Sequence, residues 1–186
     1  MRGRTRLRKG DTGSALLEFA LVLPLLVVFI VGIYDFSGAY NQKEKIEHAA
    51  QAGASIAAGQ PTGDMDSANP DSLQPALIVA FNSLAADKVL PLANQGTCSP
   101  SAATVTSASV TWTYTISGCS NFADVLVITI DRGVVAGGPP ASVSTSVTVS
   151  FPYHWRFNSV IQLLIPGASY AAVTDLRQTA IVHSQM

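Results

Sequence analysis

The most pronounced pattern in the chain is a long apolar stretch near its start. Ser14–Tyr34 reads SALLEFALVLPLLVVFIVGIY, 21 residues with a single charge, at Glu18. A helix needs roughly 20 apolar residues to cross a bilayer, so the pattern predicts a membrane-spanning helix. A secretory signal peptide is the alternative, but its apolar part usually has only about 7 to 15 residues. The sequence after Tyr34 also offers a poor cleavage site.

Helical sequence continues beyond the apolar stretch. Asn41–Ala58 contains no proline and mixes polar residues with alanine. We therefore expect one helix over residues 14–58, about 65 Å long at about 1.5 Å per residue. Pro24 lies inside it and is expected to kink it or loosen its first turns, because proline has no N–H group and clashes with the preceding turn.

Small residues mark the outer half of this helix. One predicted face is formed by residues that lie mostly three or four positions apart: Phe36, Tyr40, Ala50, Gly53 and Ala57. Such a face lets a second helix approach closely. It suits packing against the chain's own outer domain equally well, and the sequence leaves both interpretations open.

The segment after Ala58, GQPTGDMDSANPD, has the composition of a loop. Its oxygen-bearing side chains allow a calcium site or a solvated loop, and the central glycine and final glutamate of an EF-hand are missing. These side chains are Asp64, Asp66, Asn69 and Asp71. Asp71 or Ser72 is then expected to cap a helix that has Pro75 in its first turn and ends before Pro91. Its apolar face is predicted to contain Leu73, Leu77, Ala80, Phe81, Leu84 and Ala85.

Beyond Cys98 the apolar residues alternate with polar ones, as in strands with one buried face. Strands are predicted at Ala108–Ile116, Val125–Ile130, Val143–Phe151 and Ala172–Val182. Turn-rich segments separate the first three, which favours an antiparallel meander. We therefore expect an α+β chain, with a long membrane-spanning helix over residues 14–58 and a small outer domain of antiparallel strands and helices over residues 59–186.

The two cysteines, Cys98 and Cys119, lie 21 positions apart without a CxxC pattern. Only 12% of the residues are charged, and small and hydroxyl-bearing residues dominate after residue 60, as is typical of exported proteins. In an oxidising compartment the two cysteines would form a disulfide worth about 3 kcal/mol; two buried thiols are the alternative. We expect the disulfide.

Charge is distributed unevenly along the chain. Residues 1–13 carry five basic groups and one acid, whereas residues 35–186 carry six basic and ten acidic groups. The basic leader, residues 1–13, places the N-terminus on the cytoplasmic side and the outer domain on the opposite side. A net-negative outer domain without a Lys/Arg cluster argues against nucleic-acid binding.

Motifs for catalysis are missing from the sequence. The three histidines lack metal-ligand spacing, there is no GxSxG or phosphate-binding loop, and Asp124 and Asp131 alone form no acid/base pair. We expect no enzymatic activity, no metal and no cofactor. The aromatic segment Phe151–Phe157 is either an exposed docking surface or a turn whose rings fill the core.

The start of the chain resembles a known family. A basic leader, Gly13, the run SALLEF over Ser14–Phe19, and Pro24 within a long apolar helix resemble the prepilin motif of type IV pilins. The fuller stretch GSALLEFALVLPLLVVFIVGIYDFSGAY, followed by an alanine-rich helix, resembles the TadE/TadG-like minor pseudopilins of tight-adherence (Flp) pilus systems. The resemblance covers roughly residues 11–58.

In that family a prepilin peptidase cuts after the glycine and leaves a glutamate at the fifth mature position. The resemblance implies cleavage between Gly13 and Ser14, and assembly through Glu18, Phe19 and Pro24. A carboxylate within a membrane is costly unless it is paired. The implied partner of Glu18 is the new amine of an adjacent subunit; snorkelling to the interface is the alternative.

The resemblance implies a minor pseudopilin of a Tad-type (type IVc) pilus or a related secretion machine, with a role in adhesion or secretion. It would lie in the bacterial inner membrane with a periplasmic or extracellular outer domain. Its partners would be other pilin subunits, Tad assembly proteins, the prepilin peptidase and membrane lipid. The alternative is a single-pass envelope protein whose outer domain binds a ligand or partner.

Overall fold

The computed structural model describes residues 11–90, 98–120, 124–136, 142–157, 161–162, 167 and 173–184. The two long helices in this part of the chain are α1 (Asp11–Ala58) and α2 (Gln74–Ala86); residues 157 and 161–162 are also helical. The strands are β1 (Thr104–Ala108), β2 (Thr111–Ile116), β3 (Leu126–Ala136), β4 (Ser142–His154) and β5 (Val173–His183). The α+β class is as predicted. The five basic residues of the leader, Pro91 and most of the apolar run 160–165 lie outside the described residues.

The chain divides into two compact units. One contains α1 up to Gly38 together with residues 155–172. The other contains residues 39–154 and 173–186, and so holds the outer half of α1, α2 and the strands.

The five strands form one antiparallel sheet, a meander in the order β1-β2-β3-β4-β5. The sequence predicted four strands and a meander for the first three. In β2, Trp112, Tyr114 and Ile116 are fully buried while the threonines between them are half-buried on the other face. The pairing places Trp112 opposite Ile130 and Tyr114 opposite Ile128, so apolar residues of adjacent strands share one face. This face carries most of the buried side chains of the sheet: Leu126, Ile128, Ile130, Val147, Val149 and Phe151.

The prediction of a single strand over Ala108–Ile116 is wrong at its start. The chain instead turns back at Ser109 and Val110, and β1 and β2 form a hairpin. Ser109 takes the left-handed conformation, with φ 55°, which a serine tolerates at a turn and which the alternating pattern does not reveal. The N–H of Arg132 donates to the Val110 carbonyl at 3.0 Å, so the turn rests on β3.

The outer half of α1 forms part of the core of the second unit. A Cβ added to Gly53 would lie 3.1 Å from Ala80 Cβ and 3.3 Å from Val147 Cγ1, so this point of α1 contacts both α2 and β4. The small-residue face therefore packs against the chain's own domain. Its fully buried members include Ile46, Ala49, Ala50, Ala54 and Ala57.

Two aromatic residues assigned to that face are not part of it. Phe36 and Tyr40 are 66% and 64% exposed, whereas Asp35 and Ala39 are buried. At about 100° per residue, Ala39 lies in line with Ala57, and Tyr40 is turned away by about 100°. The spacing of three and four was too coarse to exclude the aromatic residues.

Helix α2 has the apolar face that the sequence predicts. Leu73, Leu77, Ala80, Phe81 and Leu84 are buried, and Ala85 packs against them half-buried. Pro75 lies in the first turn, as expected.

The predicted cap of this helix is wrong. Neither Asp71 nor Ser72 caps through its side chain; a single 3₁₀ turn over Asp71–Leu73 leads into α2. Asp64 from the preceding loop instead accepts hydrogen bonds from the Ser72 N–H at 2.8 Å and the Ser72 hydroxyl at 2.7 Å. These bonds hold the pKa of Asp64 below its usual value.

Two side chains of the sheet hold the loop between the helices. Arg132, which is 4% exposed, donates to the carbonyl oxygens of Pro61 at 2.8 Å and Gln60 at 2.7 Å. Trp112 donates its indole N–H to the Ser67 carbonyl at 3.1 Å. The loop after α1 is therefore fixed by groups that lie far away in the sequence.

Cys98 and Cys119 form a disulfide. Both residues are buried, and the bond joins the segment before β1 to the segment after β2. It thus closes the whole hairpin of β1 and β2. Closing a loop of 21 residues is worth about 3 kcal/mol in the chain-entropy account.

Candidate functional site

The apolar half of α1 has the properties of a membrane anchor. Within the helix described from Gly13 onward, an 18-residue window has a mean hydropathy of 2.8 and none of it is buried. Large apolar side chains point outward on all sides of the helix, which is typical of a lipid-facing segment. Those more than half exposed include Leu16, Leu17, Phe19, Leu21, Leu25, Phe29, Ile30 and Ile33.

Glu18 lies on the exposed surface of the first turns of α1. The Ser14 hydroxyl donates to Glu18 Oε1 at 3.2 Å, four residues apart on the same side of the helix. Gly13 precedes this pair, and a Cβ on Gly13 would meet no atom within 4 Å. The structure therefore places Ser14 and Glu18 together, with open space around the glycine.

Phe19 and Pro24 follow on the same exposed part of the helix. Phe19 is 62% exposed. The helix continues through Pro24 without interruption. Because proline has no N–H, the carbonyl of Ala20 lacks its helical donor.

A second cluster, which the sequence did not suggest, lies at the end of the apolar half. Asp35 is 2% exposed, and its Oδ2 accepts a hydrogen bond from the Phe157 N–H at 2.7 Å. The Trp155 ring contacts the Phe36 ring edge to face, with centroids 5.2 Å apart. Phe157 also lies against Gly32, where an added Cβ would be 3.8 Å from the ring. A distant part of the chain thus packs on α1 at this level.

The aromatic segment Phe151–Phe157 has two roles. The sequence offered a docking surface or a core-filling turn as alternatives, and the segment does not match either one alone. Phe151, 4% exposed, belongs to the core face of β4. Trp155 and Phe157 contact α1 within the other unit. The segment therefore begins as the end of β4 and continues as residues that pack on α1.

Comparison with known proteins supports this view of the N-terminal region. Residues 13–55 match the model of the TadE-like protein family. The chain carries a TadE-like segment. The TadE-like segment begins at Gly13 and includes the apolar part of α1 and most of its packed outer half. No curated protein and no solved structure matches the chain.

The TadE-like segment and the apolar helix together fit a membrane protein associated with a Tad pilus. The match ends at residue 55, before α2 and the sheet. The family match therefore does not extend to the outer domain.

One polar cluster in the outer domain was not predicted from the sequence. His154 Nε2 lies 2.8 Å from Asp124 Oδ2, and the Ser120 hydroxyl donates to the same oxygen at 2.6 Å. The resemblance to a catalytic triad is superficial, because serine and histidine both bind the carboxylate and the serine does not donate to the histidine. The cluster joins the end of β4 to the segment before β3.

Metal-ligand groupings are missing from the described part of the chain, where no three His, Cys, Asp or Glu side chains come together. Asp64, the first residue of the calcium interpretation, bonds to Ser72 instead. Tyr114 has a buried hydroxyl that finds no partner among the described residues, and burial raises its pKa to about 12. Such an orphaned group costs about 1 to 3 kcal/mol.

The face of the sheet opposite the core is rich in hydroxyl groups. The strand register places one threonine from every strand in a single row across the sheet. Two neighbouring pairs in the row are hydrogen-bonded, at 3.3 Å and 2.8 Å between Oγ1 atoms. The row consists of Thr106, Thr113, Thr129, Thr148 and Thr179.

Proposed function

We propose that this chain is a minor pseudopilin, a structural and non-enzymatic subunit of a Tad-type pilus or a related secretion machine. The observation that carries the proposal is the coincidence of the TadE-like match, which starts at Gly13, with an apolar helical stretch that contains an 18-residue window with no buried residue. In this proposal α1 is both the membrane anchor and the element through which the subunit assembles.

A prepilin peptidase would cut between Gly13 and Ser14. The exposed glycine supports access to this bond. The cut would remove five basic groups and create a positive amine on Ser14, four residues before Glu18. A carboxylate near a helix N-terminus is favoured by the helix dipole, and the amine adds to that attraction. In an assembled pilus the amine that pairs with Glu18 belongs to an adjacent subunit.

The orientation follows from charge and from the disulfide. The basic leader stays on the cytoplasmic side of the inner membrane, and the outer domain lies in the periplasm or outside the cell. The Cys98–Cys119 bond supports this side, because structural disulfides persist in oxidising compartments. Partners in this proposal are other pilin subunits, Tad assembly proteins and the prepilin peptidase.

The experiment compares two substitutions in the first turn of the mature helix. Glu18→Gln removes the charge at nearly constant shape, and Ser14→Ala removes only the local hydrogen bond. Both variants should enter the membrane, measured as resistance to alkaline extraction. Glu18→Gln should no longer co-purify with the pilus proteins after crosslinking, whereas Ser14→Ala should.

Unchanged crosslinking of Glu18→Gln would refute assembly through this carboxylate. It would show that the Glu18 side chain only extends to the membrane interface. Loss of crosslinking in both variants at equal membrane levels would assign the effect to the local geometry of the helix start. That result would also count against a charge pair with a neighbour.

A second candidate is a single-pass envelope protein whose outer domain binds a ligand or partner. The row of threonines favours it, because an ordered array of hydroxyl groups on the sheet face opposite the core offers hydrogen-bonding positions. This candidate requires neither processing nor assembly through Glu18. Substitution of Thr129 in the middle of the row should then reduce its function, whereas Glu18→Gln should not.

A further inference from the structure

The contact between α1 and the segment Trp155–Phe157 lies at a defined depth along the helix. The apolar stretch begins at Ser14. Gly32 lies 18 residues later, or about 27 Å along a helix, and Phe36 about 33 Å. The hydrocarbon core of a bilayer is about 30 Å thick. If α1 spans the membrane from Ser14, this contact lies at the outer edge of the hydrocarbon core.

An apolar groove runs along α1 at the same level. Side chains of α1 line most of the groove, and Phe157 of the segment Trp155–Phe157 completes the lining. The lining side chains are Val28, Phe29, Ile33, Phe36 and Phe157, and Gly32 forms the floor. Phe29 and Ile33 are 63% and 70% exposed within the chain. The groove is continuous with the exposed apolar surface of the span.

We propose that Trp155–Phe157 is a second membrane-contacting element, and that acyl chains of the outer-leaflet phospholipids fill this groove. The inference rests on the anchor role of α1 but not on processing or pilus assembly. The lining contains no charged side chain, and its depth coincides with the leaflet, so lipid is the occupant that its chemistry and position both match.

The composition of the segment agrees with an interfacial position. Tryptophan concentrates at membrane interfaces because its ring is amphipathic. Arg156, between the two aromatic residues, is exposed, and an arginine at this depth reaches the lipid phosphates with an apolar stem beneath it.

Asp35 explains how the backbone N–H of Phe157 is tolerated next to lipid. A backbone N–H in an apolar setting needs a partner, and an unsatisfied one costs several kcal/mol. The Asp35 carboxylate accepts the Phe157 N–H at 2.7 Å and is itself 2% exposed. This hydrogen bond holds the segment on the helix.

The test uses the two tryptophans of the chain. Trp112 is fully buried in the outer domain and gives a constant background, whereas Trp155 lies in the proposed contact. The full chain and Trp155→Phe are reconstituted in phosphatidylcholine vesicles whose acyl chains carry bromine at different depths. The difference between the two emissions isolates Trp155.

Lipid contact predicts that the Trp155 emission is blue-shifted and that most of it is lost when bromine lies near the headgroup end of the acyl chains. Iodide in the water should quench it little. A control protein, Leu25→Trp with Trp155→Phe, reports the middle of the span and should lose its emission when bromine lies deep.

Two results would overturn the proposal. Strong quenching of Trp155 by iodide would place the segment in water, and resistance to both bromine and iodide would show that another protein surface covers it. The control separates these failures from a failure of the anchor. If the tryptophan at position 25 is not quenched either, α1 does not span the bilayer.

Discussion

The packing of α1 into its own outer domain can be tested at Gly53. The replacement of this glycine by alanine adds one methyl group, which would lie 3.1 Å from Ala80 Cβ and 3.3 Å from Val147 Cγ1. Both distances are shorter than the usual separation of carbon atoms in contact, about 3.5 to 4.0 Å. The neighbours lie on α2 and β4, so neither can move without disturbing the core.

Two opposing effects decide whether Gly53→Ala raises or lowers the free energy of unfolding. Alanine is about 1 kcal/mol more favourable than glycine inside a helix. Overpacking of a well-filled core costs about 1 to 3 kcal/mol. We therefore expect Gly53→Ala to lower the free energy of unfolding by up to about 2 kcal/mol, and Gly53→Val by at least about 2 kcal/mol.

The assay is urea unfolding of the full chain in detergent, with the disulfide intact and Trp155→Phe in every variant, so that the fluorescence reports the buried Trp112. Ser55, an exposed neighbour in the same helix, provides the matched control. The free energies of unfolding of Ser55→Ala and Ser55→Gly should differ by about 1 kcal/mol, which measures the difference in helix propensity between alanine and glycine in this helix. If Gly53→Ala stabilises the protein by that full amount, the contact does not exist. The small-residue face would then be free to receive another helix.

Three further predictions concern the outer domain, each measured by unfolding of the disulfide-bonded protein. Tyr114→Phe removes an unpartnered buried hydroxyl and should leave stability at neutral pH unchanged or raise it by about 1 kcal/mol. Because burial raises the pKa of Tyr114 from 10.0 to about 12, the unfolded chain loses this proton first, and stability should fall between pH 10 and 12 more steeply in the native protein than in the variant; equal slopes would contradict the burial of the phenol. A methyl group at Gly133 would overlap Val110 Cγ2, so Gly133→Ala should cost about 1 to 3 kcal/mol and regain most of it when combined with Val110→Ala; purely additive losses would contradict the contact. Ser72 lowers the pKa of Asp64, so Asp64 stabilises the fold above its unfolded pKa, and this contribution is lost as the pH falls through its folded pKa. Asp64→Asn should therefore be less sensitive to acid than the native chain, and the same acid dependence in both would refute the role of this carboxylate.

The sequence predicted those helices and strands in which the spacing of apolar residues matches the period of the element. The apolar face of α2 from Leu73 to Leu84 is buried because a helix aligns residues three and four apart. The alternation in β4 and β5 likewise matches strands at Ser142–His154 and Val173–His183. The disulfide could be expected because the chain offers only one pair of cysteines.

Contacts between distant residues could not be predicted in this way. Asp35 and its partner Phe157 are 122 positions apart, and Asp124 and His154 are 30 apart. No local period links such pairs; the sheet topology brings His154 to Asp124. The Ser109 turn was missed for a different reason, since a serine with positive φ leaves the alternating pattern almost intact.

The central claim is that the chain is a processed, pilin-like subunit, and one measurement tests it most directly. The chain is expressed in cells that contain a prepilin peptidase, extracted from the membrane, and its N-terminus is determined by sequencing and intact mass. We predict a mature chain that begins at Ser14 and keeps the rest of α1. A chain that still begins at Met1, or one that is cut beyond Tyr34, would contradict the claim.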